Sequence, residues 1–241
     1  MTRRASALGF HRIVLATTAT FIVGCATNPD VAAPTQVGEL PDTASGSVRY
    51  VVDAEASDIE LRIYRGGRLA RLGHNHVIEI PDLAGDVYYA PEPAASTGSF
   101  RFAVASMKID DPARRQAAGE GFESEPSDKD IAGTRENMLS DRLLDGAAHP
   151  DIKLAIGAIA AAESDGVFTV SMLATVKGAT YDFEVPATIN RNGRQLTVTG
   201  EFTVLQTALG LTPFSVMLGA LLVEDNIDVR YRIVATAVDD S

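Results

Sequence analysis

The stretch FTVSMLATVKGATYDFEVPATINRNGRQLTVTGEFTV, residues 168–204, decides the fold class. Apolar and polar side chains alternate through most of it. A period of two places apolar side chains on one face of a β-strand and polar side chains on the other. Two turn sequences, Lys177-Gly178 and Asn190-Arg191-Asn192-Gly193, separate the runs. The stretch therefore predicts consecutive antiparallel strands, each with one buried and one solvated face.

The same alternation recurs on both sides of this stretch. It is found at Ile59–Ile63, Phe100–Val104, Ile152–Ile156 and Ile227–Ile233. About eight such strands must close or stack to hide their edges. The fold class is thus all-β, with an antiparallel barrel of about eight strands over residues 48–238. The interior of such a barrel either is filled by side chains or holds one small ligand, and the residues alone leave both alternatives open.

One segment, residues 108–150, interrupts the alternation and is rich in acidic side chains. Within it, Ile131–Leu144 predicts one helix in a crossover insertion at about residues 130–145. Ser127 or Asp130 would cap its start, and Gly146 would end it. We expect this helix to plug or flank the barrel.

Residues 1–24 have the features of a bacterial lipoprotein signal peptide. Arg3, Arg4 and Arg12 precede an uncharged run of 11 residues, 13–23, which suits the apolar region of a signal. A spanning helix needs about 20 apolar residues. The run closes on Gly24-Cys25, where a peptidase would cut and a thiol could be acylated. An ordinary secretory signal or a short membrane anchor is the alternative.

Cys25 is therefore the predicted lipidation site and the first residue of the mature chain. Residues 25–47 contain three prolines and no apolar period, as expected of a flexible tether. Ala26 follows the cysteine, whereas an aspartate there is the usual inner-membrane retention signal of lipoproteins. We expect an exported protein, lipid-anchored in the cell envelope at the periplasmic face of the outer membrane.

Charge and cysteine content exclude two features. Without the predicted signal the chain has 18 basic and 32 acidic residues, a net formal charge of −14. Nucleic acid is not an expected partner, because its phosphates would be repelled. Cys25 is the single cysteine, so an intrachain disulfide cannot form.

The histidines are the sharpest polar feature. His74 and His76 would project to one face of an extended segment. With His149 as a third ligand they could bind a transition metal. A contact with a ligand head group at the barrel rim, or a purely structural hydrogen-bonding role, are the alternatives. Arg65, Arg68 and Arg71 form a basic loop that could meet an anionic head group or simply be solvated.

Motifs for catalysis are not found. The chain has no Gly-x-Ser-x-Gly elbow, no phosphate-binding loop and no His-Glu-x-x-His. We therefore expect a binding protein rather than an enzyme. No cofactor is expected other than a bound lipid, and a metal is the less favoured alternative.

Several short motifs, taken in chain order, resemble the YceI-like family. Asp53-Ala54-Glu55-Ala56-Ser57-Asp58-Ile59 is similar to the Asp-x-x-x-Ser-x-Ile start of the family. The motifs that follow are Ile80–Val87, a Phe-rich strand, Arg135–Leu139, His149–Leu154, Thr175–Gly178 and Val223–Val229. The resemblance covers about residues 48–238 and depends on the order of these motifs.

The resemblance implies a lipocalin-like barrel whose apolar tunnel holds a long-chain lipid of polyisoprenoid or fatty-acid type. The ligand-binding residues expected on this basis are Phe100, Phe102, Phe168, Met172, Phe183, Phe202 and Phe214, with His74 and His76. Two segments depart from the family pattern. The segment 72–77 has two histidines where many members have one, and the apolar run 213–222 interrupts the final strands, either as a flap at the mouth or as a buried loop.

Overall fold

The computed structural model describes residues 43–162, 164 and 166–238. The predicted signal peptide, Cys25 and the tether up to residue 42 lie outside these residues. The strands are β1 (Val48–Gly66), β2 (His76–Glu79), β3 (Ala84–Tyr89), β4 (Thr97–Ala103), β5 (Lys108–Ile109), β6 (Asp151–Ala161), β7 (Val167–Val176), β8 (Ala179–Asn192), β9 (Gln195–Leu205), β10 (Ser215–Val216) and β11 (Leu221–Ala237). The α-helices are α1 (Pro112–Ala118) and α2 (Asp128–Leu139).

Eight of these strands close into an antiparallel barrel, as predicted. Their order is β1-β3-β4-β6-β7-β8-β9-β11, and β11 pairs with β1 to complete the ring. The closing ladder runs from Tyr50 opposite Ala237 to Gly66 opposite Leu222. Because the ring is closed, each of the eight strands pairs with a neighbour on both sides. The barrel therefore avoids the unpaired edge strands of an open sheet, which can pair with other chains.

Strand β1 changes neighbours part of the way along. Its first residues, Val48–Val51, pair with β3, whereas Glu60–Ile63 pair with β2. A register shift between Asp53 and Asp58 separates the two halves. Because β5 pairs in turn with β2, two short strands extend the sheet beside the barrel. They carry the segment that contains His74 and His76.

The turn between β7 and β8, which the Lys177-Gly178 sequence predicted, sets the register of this hairpin. Lys177 and Gly178 both have positive φ, 50° and 77°. This is the backbone of a type I′ turn, whose twist matches that of the strands it joins. The turn sets Val176 opposite Ala179, and the ladder continues from there to Val167 opposite Thr188.

The prediction of one helix over residues 131–144 is wrong in its bounds. Helix α2 begins at Asp128 and ends at Leu139. Its N-terminus has a capping box, in which the Ser127 hydroxyl accepts from the Asp130 amide while the Asp130 carboxylate accepts from Ser127 N. After the helix, the amide of Gly146 donates to the Leu139 carbonyl at 3.0 Å.

A second helix, α1, was missed in the sequence. Asp111 caps it by accepting from the amides of Ala113 and Arg114, and Pro112 occupies the first turn. Leu143 and Leu144, the last two residues of the predicted helix, lie in the turns that follow α2 and line the barrel interior. Periodicity could not separate the two cases, because a loop that covers a core is as apolar as a helix face.

The apolar run 213–222 is not a buried loop. Ser215 and Val216 form β10 and pair with Leu222 and Leu221 of β11. Phe214 and the residues 217–218 are exposed. Among the described residues, no helix is long and apolar enough to cross a membrane.

Candidate functional site

The barrel encloses a cavity of about 300 Å³ lined by side chains from all eight strands. Its wall is almost entirely aliphatic and aromatic. Ser96, Gln206, Tyr89 and Tyr231 are the lining side chains that carry a polar atom besides the methionine sulfurs. The interior is therefore not packed solid. Its volume is at the lower end of the range of ligand pockets, about 300–1,000 Å³.

Five of the residues predicted to bind a ligand line this cavity. They are Phe100 and Phe102 of β4, Met172 of β7, Phe183 of β8 and Phe202 of β9. Phe183 and Phe202 stack with ring centroids 5.9 Å apart. All five stand at alternate positions of strands whose period of two was legible in the sequence.

Two of the predicted phenylalanines do not line the cavity. Phe168 stands at the start of β7 and packs against Val170, Val185 and Ala187, short of the cavity lining. Phe214 is exposed in the connection between β9 and β11. Alternation predicts which face of a strand a side chain occupies, but it does not predict how far the cavity extends along the strand. The prediction of Phe168 as a ligand-binding residue is therefore not matched by the cavity lining.

Three of the four polar side chains of the wall are hydrogen-bonded to the protein itself. The Ser96 hydroxyl accepts from the amide of Ala90 at 3.0 Å, and the Gln206 side chain donates to the Glu224 carbonyl at 2.7 Å. The Tyr231 hydroxyl donates to the Pro186 carbonyl at 2.7 Å. Burial raises the pKa of Tyr231 to about 12, so the phenol stays neutral. These groups leave the cavity a hydrocarbon surface, which favours a ligand without polar groups along its buried length.

A second cluster lies outside the cavity lining, around the two short strands. His76, the first residue of β2, places its Nδ1 2.7 Å from Oδ2 of Asp110. Asp110 follows β5 with a φ of 56° and is 1% exposed. An ionised carboxylate only accepts, so Nδ1 of His76 is the donor in this contact, and in the neutral ring the lone pair is on Nε2.

Asp110 is held by two further donors. Its Oδ1 accepts from the amide of Val77 at 3.0 Å and from the guanidinium of Arg115, which is itself 4% exposed. Burial by itself would raise the pKa of Asp110, but the hydrogen bonds from His76, Val77 and Arg115 outweigh it and hold the pKa below its ordinary value. The carboxylate therefore stays charged and orients the His76 ring.

His74 completes the cluster. Its ring lies edge-on to that of His76, with centroids 4.5 Å apart, as their spacing in the sequence predicted. Its Nε2 is buried and has no hydrogen-bond partner among the described residues. Burial, followed by the proximity of His76, lowers the pKa of His74, which favours the neutral ring. A neutral imidazole with an unbonded nitrogen is the form that binds metals.

The predicted third ligand, His149, is not in this group. Nitrogen or oxygen atoms of His74, His76 and Asp110 lie within 4.8 Å of one another, whereas His149 lies beside Gly178, at the turn between β7 and β8. No sequence pattern marks Asp110 as a partner of His76, because its approach to His76 depends on the pairing of β2 with β5.

Fold and cavity together define a class, that of lipocalin-like barrels with an apolar interior. The chain belongs to the YceI-like family, since the family model for the YceI-like domain matches residues 50–235. This confirms the family that the ordered motifs indicated. No curated protein sequence matches the chain significantly.

The solved structures that are similar to this fold include two with TM-scores above 0.5. Burkholderia cenocepacia BcnA is 17% identical with a TM-score of 0.57, and the match covers 77% of this chain and 99% of BcnA. A polyisoprenoid-binding domain from Saccharophagus degradans, described as implicated in plant cell wall breakdown, is 12% identical with a TM-score of 0.53. That match covers 79% of this chain and 99% of the domain. At these identities the likeness concerns the fold.

Proposed function

We propose that this protein binds a long apolar chain, of polyisoprenoid or fatty-acid type, inside the barrel. The observation that carries the proposal is the cavity of about 300 Å³ with a wall that offers hydrocarbon almost everywhere. A cavity of about 150 Å³ already binds benzene, so the volume suits a larger apolar group. The similar domain from Saccharophagus degradans, which binds polyisoprenoid, supports the same class of ligand.

The energetic source of binding is removal of hydrocarbon from water. Each buried methylene contributes about 0.8 kcal/mol, so a segment of several methylenes accounts for useful affinity without any polar contact. Met172 and Met138 both line the cavity, and their flexible side chains can adapt to an irregular or branched chain. Binding with no chemical step is the activity this wall supports.

Native mass spectrometry on gently purified protein tests the proposal. We expect a mass increment, and extraction of that sample should release a lipid. A sample without an increment is then offered palmitic acid and a polyprenol. An unliganded mass under both conditions would contradict the proposal, because neither representative of the ligand class would have entered the cavity.

The proposed setting is the cell envelope, with the barrel anchored through acylated Cys25 at the periplasmic face of the outer membrane. The support is the charge-free run that ends on Gly24-Cys25. Replacement Cys25→Ser should abolish incorporation of labelled palmitate and release the protein from membranes after a salt wash. A variant that stays in the membrane fraction would contradict the anchor.

Metal binding is a second candidate function, favoured by the unbonded Nε2 of His74 beside His76 and Asp110. Imidazole nitrogens with a carboxylate behind one of them are a common arrangement for zinc. Titration of the full chain with Zn²⁺ should show binding that is lost in the His74→Ala/His76→Ala double variant. His149→Ala is the matched control and should bind as the wild type does. Equal metal content in wild type and double variant would contradict this candidate.

A further inference from the structure

One end of the barrel exposes a group of large apolar side chains, here called the apolar tip. Met217 is 67% exposed, Leu72 is 60% exposed, and Leu218 is fully exposed. Phe214 is exposed beside them in the chain. Single exposed apolar residues are ordinary, but a group of this size on one end of a fold marks an interaction surface.

The two segments that form the apolar tip are joined. The amide of Leu69 donates to the carbonyl of Ala220 at 2.7 Å. Gly67 lies directly under that carbonyl, where a Cβ would overlap it, and Gly73 lies against the Leu221 side chain. The loop after β1 and the loop before β11 therefore form one surface at the end of the barrel where β1 finishes.

The exposed conformation is held in place although it is strained. Met217 and Leu218 have φ values of 52° and 56°. Residues other than glycine are strained in this region of backbone conformation. The pairing of β10 with β11 and the bond from the Ala220 amide to the Met217 carbonyl keep the turn formed. The strain is maintained while two large apolar side chains point into solvent, which is the arrangement expected of a surface that inserts into something apolar.

The charge beside the apolar tip is positive, against the acidic balance of the chain as a whole, −11. Arg68 and Arg71 are exposed in the loop that carries Leu72, and neither forms an ion pair with a described residue. Arg65 donates to the Gly73 carbonyl and fixes the base of the loop. The acidic side chain of Glu224 packs against Gly66 at the base of this loop, while residues 67–73 themselves contain two arginines and no acidic residue.

We propose that the apolar tip is a membrane-docking surface whose occupant is the headgroup region of an anionic phospholipid bilayer, with Leu72, Met217 and Leu218 inserted and Arg68 and Arg71 on the phosphates. Apolar insertion combined with basic side chains is the physical basis of interfacial membrane binding. A single apolar partner protein would not require the two free guanidinium groups.

The location of the apolar tip deepens the proposed function, on which it rests. The connection from β9 that carries the tip also contains Leu209 and Leu211, which line the cavity at this end. Docking would therefore bring the cavity against the bilayer from which an apolar ligand has to be drawn. The predicted tether of 22 residues, 26–47, would extend at most about 79 Å, and β1 at about 3.3 Å per residue spans about 60 Å. A chain anchored at Cys25, as proposed above, could therefore place the apolar tip on the same membrane, although the tip lies at the end of β1 remote from Val48.

The absence of tryptophan from the chain makes a direct test available. Leu218→Trp places a fluorescent probe in the apolar tip, and Val48→Trp is the matched control, because Val48 is an exposed apolar residue at the other end of β1. Both variants are reconstituted as the full chain in phosphatidylethanolamine–phosphatidylglycerol vesicles with brominated acyl chains. We expect a blue shift and strong quenching for Leu218→Trp only. Charge reversal by Arg68→Glu/Arg71→Glu in the Leu218→Trp protein should reduce quenching to the level of Val48→Trp.

Equal quenching of the two tryptophan variants would overturn the docking surface. A blue shift of Leu218→Trp that appears without vesicles and tracks a dimer in size-exclusion chromatography would overturn it too, since a second copy would then cover the tip. The lipid content of the same samples, measured by native mass spectrometry, separates this inference from the proposed function. Bound lipid without quenching contradicts docking alone, whereas quenching without bound lipid contradicts the ligand proposal alone.

Discussion

Phe183 and Phe202 stack on neighbouring strands of the barrel, with ring centroids 5.9 Å apart and planes inclined by 24°. Tyr231 meets Phe202 edge-on from the next strand, at 6.2 Å. Offset and edge-on contacts of this kind stabilise beyond the area they bury. The three rings make one aromatic side of the wall around the space left for a ligand.

The small side chain of Ala174 is one determinant of that space. Ala174 is buried on β7 and lines the cavity. Replacement Ala174→Phe should fill part of the cavity volume and reduce ligand uptake at least about tenfold. Overpacking should lower the free energy of unfolding by about 1–3 kcal/mol. Uptake is measured by displacement of a fluorescent fatty acid.

The adjacent residue supplies the control for this experiment. Leu173 is on the same strand but is not part of the cavity lining, because successive side chains alternate between faces. Leu173→Phe adds a ring of the same size outside the barrel and should leave uptake unchanged. If both variants bind the fatty acid as the wild type does, the cavity is not where the ligand is held.

The ion pair between Asp110 and Arg115 should be important for stability. Both side chains are almost wholly buried, and removal of one charge leaves the other without its partner. We expect Asp110→Asn to lower the free energy of unfolding by about 3–5 kcal/mol, measured by urea denaturation. Glu201→Gln is the control, because Glu201 pairs with Arg230 at the surface with both side chains more than half exposed, and should cost less than about 1 kcal/mol. Similar losses in the free energy of unfolding for both variants would contradict a larger contribution from the buried ion pair of Asp110 and Arg115.

Tyr231 predicts a loss of stability at high pH. Its pKa is about 12 in the folded protein against an ordinary value of 10.0. Between these values the unfolded chain has lost the phenolic proton and the folded chain has kept it, so the free energy of unfolding falls as pH rises from about 10 to about 12, by about 2 kcal/mol. Tyr231→Phe should remove this part of the pH dependence in urea denaturation at the two ends of the window. An unchanged dependence in the variant would contradict the assignment to Tyr231.

Two glycines should respond to alanine with opposite signs. A Cβ at Gly200 of β9 would overlap the Pro186 carbonyl oxygen and crowd the hydroxyl of Tyr231 that donates to it. We expect Gly200→Ala to destabilise by about 1–3 kcal/mol. Gly133, in α2, has open space around its Cβ position, and Gly133→Ala should stabilise by about 0.5–1 kcal/mol. Thermal unfolding of the two variants measures both effects, and a common sign would contradict the packing described for Gly200.

The strands could be predicted from the sequence because each barrel strand has one face in water. Apolar and polar residues therefore alternate along each strand. In β8, for example, Phe183 and Val185 are apolar, whereas Asp182 and Glu184 are charged. The faces of Phe100, Met172 and Phe202 followed from it. The two helices were harder to predict. Helix α1 has only seven residues, too few to show a helical period, and Leu143 and Leu144 cover the core from a turn that resembles the end of a helix in sequence.

The partners of the histidines could not be predicted. Spacing placed the rings of His74 and His76 on one face, which the structure confirms, but the residue brought to them is Asp110 and not His149. The sequence around Asp110 contains no pattern that predicts its contact with His76. It arises from the pairing of β2 with β5, a contact between segments about 30 residues apart in sequence whose register is set by packing.

The sequence by itself thus determined the all-β class, the approximate number of barrel strands and most of the inward-facing side chains, because hydrophobic alternation is a local property of the chain. Tertiary structure alone decided that the interior stays open, that Asp110 is shared by His76 and Arg115, and that the loop 67–73 meets residues 219–221 at one end of the barrel. These are distances between segments remote in sequence. They depend on closure of β11 against β1, which no local pattern records.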